Sequence, residues 1–246
     1  MTPRPRRAIG SPIPHTGKHA FLESLHDLLR PARYLETGVQ FGNSLWLTRP
    51  DTVAVGIDPA PLCTPPPNAT VYAQTADEFF AGAQWPRHGP VDLAFIDGSH
   101  LVEDALRDFI NVERRMARPD GRTVAVFDDV LPYRADIAGR TPLPGDWAGD
   151  VWKILQVFGL AKPPGGYRPD LTLILVDVAP TGALVVLGLD PASTVLADRY
   201  DELTMVYAHE FGDGVTGAAV HNAHAWAVSP AEALDLIRRH LNITEA

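Results

Sequence analysis

Two apolar runs of the 246-residue chain end on carboxylates, Phe95-Ile96-Asp97-Gly98-Ser99-His100 and Val126-Phe127-Asp128-Asp129. If these runs are neighbouring strands, their ends lie about 5 Å apart, so Asp97, Asp128 and Asp129 can converge on one hard divalent cation. An oxygen-only donor set favours Mg²⁺, Mn²⁺ or Ca²⁺ over Zn²⁺. An Asp-Asp pair after a strand equally suits an ordinary turn. His100 stands three positions beyond Asp97, near the first turn of the next helical pattern. An imidazole that titrates near neutrality is a candidate general base beside a cation-held hydroxyl; a solvated histidine at a helix start is the plainer alternative.

Two more strand ends carry polar chemistry. Glu36-Thr37-Gly38-Val39-Gln40-Phe41-Gly42-Asn43-Ser44 closes the first apolar run with glycines that let backbone approach a ligand, and Asn43 or Ser44 can cap the next helix. Any tight strand-to-helix turn shares that composition. Gln40 takes the place where a dinucleotide fingerprint has its second glycine, which weakens a nicotinamide-cofactor reading. Asp58 ends the second run, 20 positions after Gly38, where an acid can accept both hydroxyls of a ribose or simply cap a turn. Glu36, before the glycines, would meet a cationic group such as an amino acid's ammonium.

Elements that would position these residues alternate along the chain. Strand-like runs occur at 33–39, 53–58, 70–73, 91–96 and 122–127, with helical patterns at 19–29, 44–48, 76–83 and 101–117 between and before them. Such alternation predicts an α/β fold, a doubly wound and mostly parallel sheet covered on both faces. Ligands of such sheets sit beyond the carboxyl ends of the strands, at the switch point. Runs at 171–176 and 183–189, joined by Ala179-Pro180-Thr181-Gly182, are too close for a crossover helix and predict an antiparallel C-terminal hairpin, giving seven strands in all. Residues 131–149, rich in Pro and Gly and carrying Trp147, read as a lid loop. An arm over 1–18, one domain over 19–246 and a C-terminal extension from 190, closed by an amphipathic helix at 230–241, complete the expected organisation.

Composition excludes several classes. A net charge of −9 repels polyanions and argues against a nucleic-acid footprint. No apolar run approaches the roughly 20 residues of a membrane span. The lone Cys63 cannot pair within the chain, and with no signal-peptide core after Arg4, Arg6 and Arg7 a cytoplasmic protein is expected. Residues 190–227 are long enough to serve a homodimer. His221 and His224 have a spacing that suits a metal but more often marks surface residues, and His15 and His19 beside Gly17 could fold over an acceptor.

In this order, Glu36-Thr37-Gly38, Ile57-Asp58, Thr75-Ala76-Asp77-Glu78-Phe79-Phe80, Phe95 to His100 and Phe127-Asp128-Asp129 resemble the class I S-adenosylmethionine-dependent methyltransferases, specifically the metal-dependent O-methyltransferases of macrolide-sugar and catechol type. The resemblance covers residues 22–189 and implies a Rossmann-like methyltransferase fold. It implies that Glu36, Thr37, Gly38, Gly42 and Ser44 hold the methionine part of the cofactor, Asp58 the ribose, and Thr75 and Asp77 the adenine edge. Asp97 belongs to both the cofactor set and the metal set, with Asp128 and Asp129 as the other ligands of Mg²⁺, Mn²⁺ or Ca²⁺. His100 is implied as the base that deprotonates a hydroxyl of a sugar or small natural product before methyl transfer. The competing readings are a nicotinamide-dependent oxidoreductase or epimerase, for which no Tyr-x-x-x-Lys pair is present, a non-catalytic S-adenosylmethionine-binding module, and metal-dependent hydroxylation or hydrolysis on the same scaffold.

Overall fold

The computed structural model of the chain describes residues 17–145, 147–159, 167–210 and 223–244. Seven strands form one sheet: β1 (Arg33–Thr37), β2 (Val53–Asp58), β3 (Ala69–Ala73), β4 (Leu93–Ile96), β5 (Val124–Asp128), β6 (Thr172–Val176) and β7 (Ala183–Leu187). Their spatial order is β3-β2-β1-β4-β5-β7-β6. The first five run parallel, and β7 lies antiparallel between β5 and β6. Residues 177–182 therefore turn the chain inward, and β6 becomes the edge. The strand order reverses between β1 and β4, so the switch point opens at the carboxyl ends of those two strands.

Among the described residues the α-helices are α1 (Gly17–Leu29), α2 (Ala76–Ala81), α3 (Val102–Asn111), α4 (Ile154–Val157), α5 (Val195–Asp198), α6 (Tyr200–Thr204) and α7 (Pro230–His240). Alternation along β5 decides which layer each side chain enters. Val124 and Val126 pack with Phe21, Leu22 and Leu25 of α1 and with Ala233 and Ile237 of α7. Ala125 and Phe127 pack on the other face with Leu106 and Phe109 of α3. Both faces of the central strands are thus sealed, which explains their near-continuous apolar sequence. α7 completes the α1 layer, so residues 230–241 belong to the body of the domain.

Most observed bounds differ from the expected ones by a few residues, and three helical segments change in extent or kind. α1 begins at Gly17, not His19, because the Lys18 N–H donates to the Ala179 carbonyl at 2.8 Å and satisfies a first-turn donor. The expected helix at 44–48 is one 3₁₀ turn, Leu45–Leu47. The pattern at 101–117 is α3 continued by a wider π turn, Val112–Met116. His15, His221 and the arm before Gly17 lie outside the described residues. Among the described residues no helix is long and apolar enough to cross a membrane.

Candidate active site

At the switch point a cleft of about 310 Å³ opens beside β1, β2 and β4, lined among others by Thr37, Gly38, Asp58, Thr75, Asp77 and Ser99. That volume suits a small-molecule ligand. Gly38 has φ +83°, and a Cβ there would stand 1.7 Å from the Asp97 carbonyl oxygen, so only glycine allows β1 and β4 to leave the sheet so close together. Asp58 Oδ2 accepts the N–H groups of Val39 (3.0 Å) and Gln40 (2.7 Å), and Oδ1 accepts that of Ala60 (2.7 Å). It braces the glycine loop while its carboxylate still faces the cleft. Thr75 caps α2 in a reciprocal capping box with Glu78.

Glu36 is placed beneath this loop, not in the cleft wall. It is fully buried and accepts from Tyr34 Oη and Ser44 Oγ, each at 2.7 Å. Burial pushes its carboxyl up to about 8, against the two hydroxyl donors. Gly42 likewise lies outside the cleft lining, against Cys63, where a Cβ would approach the thiol sulfur to 2.9 Å. Of the nine residues expected around a cofactor, five therefore line the cleft and Glu36, Gly42, Ser44 and Asp97 support it from behind or beside.

The second group lies just past the same strand ends. One ligand atom each from Asp97, His100 and Asp129 fall within 4.8 Å of one another. Asp128, expected in that set, turns Oδ2 to the Lys18 ammonium, which also reaches Asp97 Oδ2 at 3.2 Å. The other Asp128 oxygen, Oδ1, is buried with no hydrogen-bond partner among the described residues. An orphaned carboxylate oxygen among three aspartates is the kind of donor a hard cation satisfies, so the residues fit a divalent metal. Burial pushes Asp97 up to about 7 and Asp129 well above the usual carboxylate range, with neighbouring carboxylates adding to both. Burial pulls against the charged Lys18 ammonium, but Asp97, Asp128 and Asp129 together raise it above its ordinary value.

His100 is held from the loop at 131–149. Its Nδ1 lies 2.8 Å from the Trp147 carbonyl oxygen and 3.1 Å from Asp129 Oδ2, and its ring stacks on the Trp147 indole at 5.2 Å between centroids. A proton on Nδ1, donated to that carbonyl, leaves Nε2 as the basic nitrogen, 3.8 Å from Asp97 Oδ1. Burial holds the imidazole below its ordinary value, so Nε2 is unprotonated at neutral pH. The Asp150 N–H donates to the His100 carbonyl at 3.1 Å, and Gly149, φ +63°, has no room for a Cβ, which would stand 1.8 Å from that oxygen. His100 itself has φ 60° and Asp129 φ 61°, a conformation that costs energy for residues with a Cβ and gathers at functional sites.

The sequence reading missed Lys18 and three residues of α3. Arg107 bridges Asp77 at 2.6 Å, Asp104 at 2.5 Å and Tyr200 Oη at 2.7 Å, fixing the cleft wall beside α2. Asp104, Arg107 and the buried Asp108 line the cleft. Their signal was present as a polar stripe on the α3 pattern, one turn after Ser99. Lys18 is one of three lysines in the chain, at the start of a helix distant in sequence from every motif.

Residues 35–130 match a family model described as a methyltransferase domain. The chain is similar to cofactor-bound Rv0187 from MTB, at 20% identity over 76% of this chain and 84% of that one, with a TM-score of 0.50. It is also similar to an O-methyltransferase from Bacillus cereus in complex with SAH, at 14% identity over 75% and 84% of the two chains, TM-score 0.51. A third is the SAH-bound methyltransferase PaMTH1 from Podospora anserina, at 14% identity over 69% and 76%, TM-score 0.50. No curated protein sequence matches the chain. The matched domain covers residues 35–130, and the seven-stranded sheet has the order of a Rossmann-like methyltransferase fold. The inserted antiparallel β7 separates it from the dinucleotide-binding order 3-2-1-4-5-6 of the rival oxidoreductase reading.

Proposed function

We propose that the protein is an S-adenosylmethionine-dependent O-methyltransferase for a small hydroxylated acceptor, a sugar or other natural product, assisted by a divalent cation. One observation carries this reading. The turn between β4 and α3 presents Gly98 and Ser99 to the cleft and Asp97 and His100 to the carboxylate group, so a donor site and a proton-accepting site share a wall four residues long. A dinucleotide enzyme or a simple binding module does not require a buried base and three carboxylates beside its cofactor.

In this reading the cleft holds the nucleoside between Asp58 and the α2 terminus. Thr37 and Gly38 approach the reacting end through backbone. Asp97, Asp128 and Asp129 would hold Mg²⁺ or Mn²⁺, which supplies charge stabilisation to an ionising hydroxyl. His100 Nε2 takes the hydroxyl proton while the oxygen forms its bond to the methyl carbon and the carbon–sulfur bond breaks, leaving a neutral thioether. Trp147 keeps the imidazole in the right tautomer and covers it from water. The approach of Asp97, His100 and Asp129 favours a second reading in which His100 is itself a ligand; the two differ in what a His100 variant does to metal binding.

Calorimetry with S-adenosylhomocysteine tests the cofactor assignment. Micromolar binding is expected for the wild type and at least tenfold weaker binding for Asp58→Ala. Wild-type affinity in that variant would remove Asp58 from the ribose, and no binding by either protein would sink the methyltransferase reading.

A further inference from the structure

Lys18 is anchored with unusual care for a residue at a helix start. Gly17 lets α1 press against the turn at 177–182: a Cβ there would meet Ala179 N at 3.1 Å and Val178 Cγ2 at 3.2 Å. The Lys18 N–H is fixed on the Ala179 carbonyl at 2.8 Å. The same turn is tied to β5, because the Leu131 N–H donates to the Thr181 carbonyl at 2.6 Å and Gly182 has no space for a Cβ, which would stand 2.4 Å from Leu131 Cβ. The backbone of Lys18 is thereby registered against the end of the strand that carries Asp128 and Asp129.

From there the side chain runs inward. Its ammonium ion-pairs with Asp128 and, at 3.2 Å, with Asp97, and lies 5.9 Å from the centre of the Phe95 ring. It takes oxygens of two of the three aspartates that a divalent cation would need. Two cations on the same carboxylates repel strongly at this depth, so a metal held by the remaining oxygens, Asp128 Oδ1 among them, would meet the Lys18 ammonium beside it.

We propose that Lys18 is a resident cation of the carboxylate site, which a divalent metal must displace in order to bind. This rests on the metal-assisted reading above and deepens it. Without metal, the ammonium neutralises part of the carboxylate charge and keeps the strand ends together. Metal binding releases it, and the start of α1 is the element that feels the exchange. Metal affinity is then set partly by a residue that is not a ligand, and Lys18 is a positioning residue for the apo site.

The test uses Mn²⁺ on the full-length protein, with free Mn²⁺ followed by electron paramagnetic resonance. Lys18→Met should bind Mn²⁺ at least tenfold more tightly than the wild type. In the wild type itself, amine acylation read by mass spectrometry should be slow at Lys18 and should speed up severalfold when Mn²⁺ is added, with the other two lysines, Lys153 and Lys162, as internal references. That second measurement needs no variant to fold. Equal or weaker Mn²⁺ affinity in Lys18→Met, or Lys18 labelling indifferent to Mn²⁺, overturns the role of Lys18 and leaves the metal reading standing. Absence of Mn²⁺ binding in both proteins, with S-adenosylhomocysteine still bound, overturns the metal reading and this inference with it.

Discussion

Two buried ionic groups lie side by side in this molecule and are built on opposite principles. Around Asp150 the charges balance. Asp150 Oδ2 accepts from Arg140 at 2.7 Å and Lys153 at 3.0 Å, its Oδ1 caps the start of α3 at the Val102 N–H, and Arg140 grips both oxygens of Glu103. Two acids meet two bases, and every carboxylate oxygen has a donor. Around Asp97, three carboxylates share one ammonium and an imidazole held in its neutral form, and one oxygen of Asp128 has no donor among the described residues. Folding alone selects the first arrangement, since unpaired buried charge is costly. The second is the arrangement that the proposed divalent cation would balance. The balanced group also holds its neighbour: the Asp150 N–H fixes the His100 backbone, and Arg140 anchors the loop that carries Trp147.

The contrast is sharpest where a partner is removed from the balanced group. Asp150→Ala strands the buried Lys153, takes one of the two acids from Arg140 and uncaps α3, so a loss of about 3–5 kcal/mol is expected in urea unfolding. A loss below about 1 kcal/mol would mean that the group is no structural keystone. Next in size is His100→Gln, where turnover should fall about 100-fold with unfolding stability and S-adenosylhomocysteine affinity unchanged. If Mn²⁺ affinity falls in parallel, His100 is a ligand; if it holds, His100 acts as the base.

The strands, the antiparallel hairpin and the convergence of Asp97, Asp128 and Asp129 on one edge were legible because each aspartate directly ends an apolar run, and sheet order does the rest. Asp58 was legible for the same reason. Lys18 was not, because its place depends on a helix start docking against a turn some 160 positions away, through Gly17 and a backbone carbonyl that no local pattern encodes. Glu36 was legible as an acid before glycines, but its burial under them depends on Tyr34 and Ser44 closing over both oxygens. Arg140 looked like a loop residue because its pairing with Asp150 and Glu103, which joins the loop at 131–149 to α3, is long-range.

Glu36 is a third kind of buried acid, with two hydroxyl donors and no bound cation. Its carboxyl is pushed from 4.5 up to about 8 by burial. Between those values the folded state holds a proton that the unfolded chain releases, so this group lowers stability as pH rises from 4.5 to 8. Glu36→Gln should remove that slope and be about 1–2 kcal/mol more stable than the wild type at pH 9, the gain being trimmed by weaker neutral hydrogen bonds. At pH 4 the two should match. Asp97 and Asp129 keep their own part of the slope, so only a slope as steep as the wild type's in the variant would take Glu36 out of the titration.

The smallest effect concerns the loop over Glu36. Gly38, Gln40 and Gly42 have φ of +83°, +42° and +71°, so the middle position adopts the backbone that favours glycine while carrying an exposed glutamine. The conformation is imposed by Asp58, whose Oδ2 takes the Gln40 N–H at 2.7 Å. A left-handed residue with a Cβ costs about 1–2 kcal/mol, and glycine returns about 0.4–1 kcal/mol of that through the freedom of the unfolded chain. Gln40→Gly should therefore raise stability by about 0.5 kcal/mol, or about 1–2 °C in Tm for a chain of this size. Cofactor affinity should not change, because the side chain points to solvent and only the backbone faces Asp58. A drop in S-adenosylhomocysteine affinity would show instead that the glutamine side chain folds onto the ligand, making this loop a clamp and giving the cofactor side a side-chain contact that the carboxylate side already has in His100.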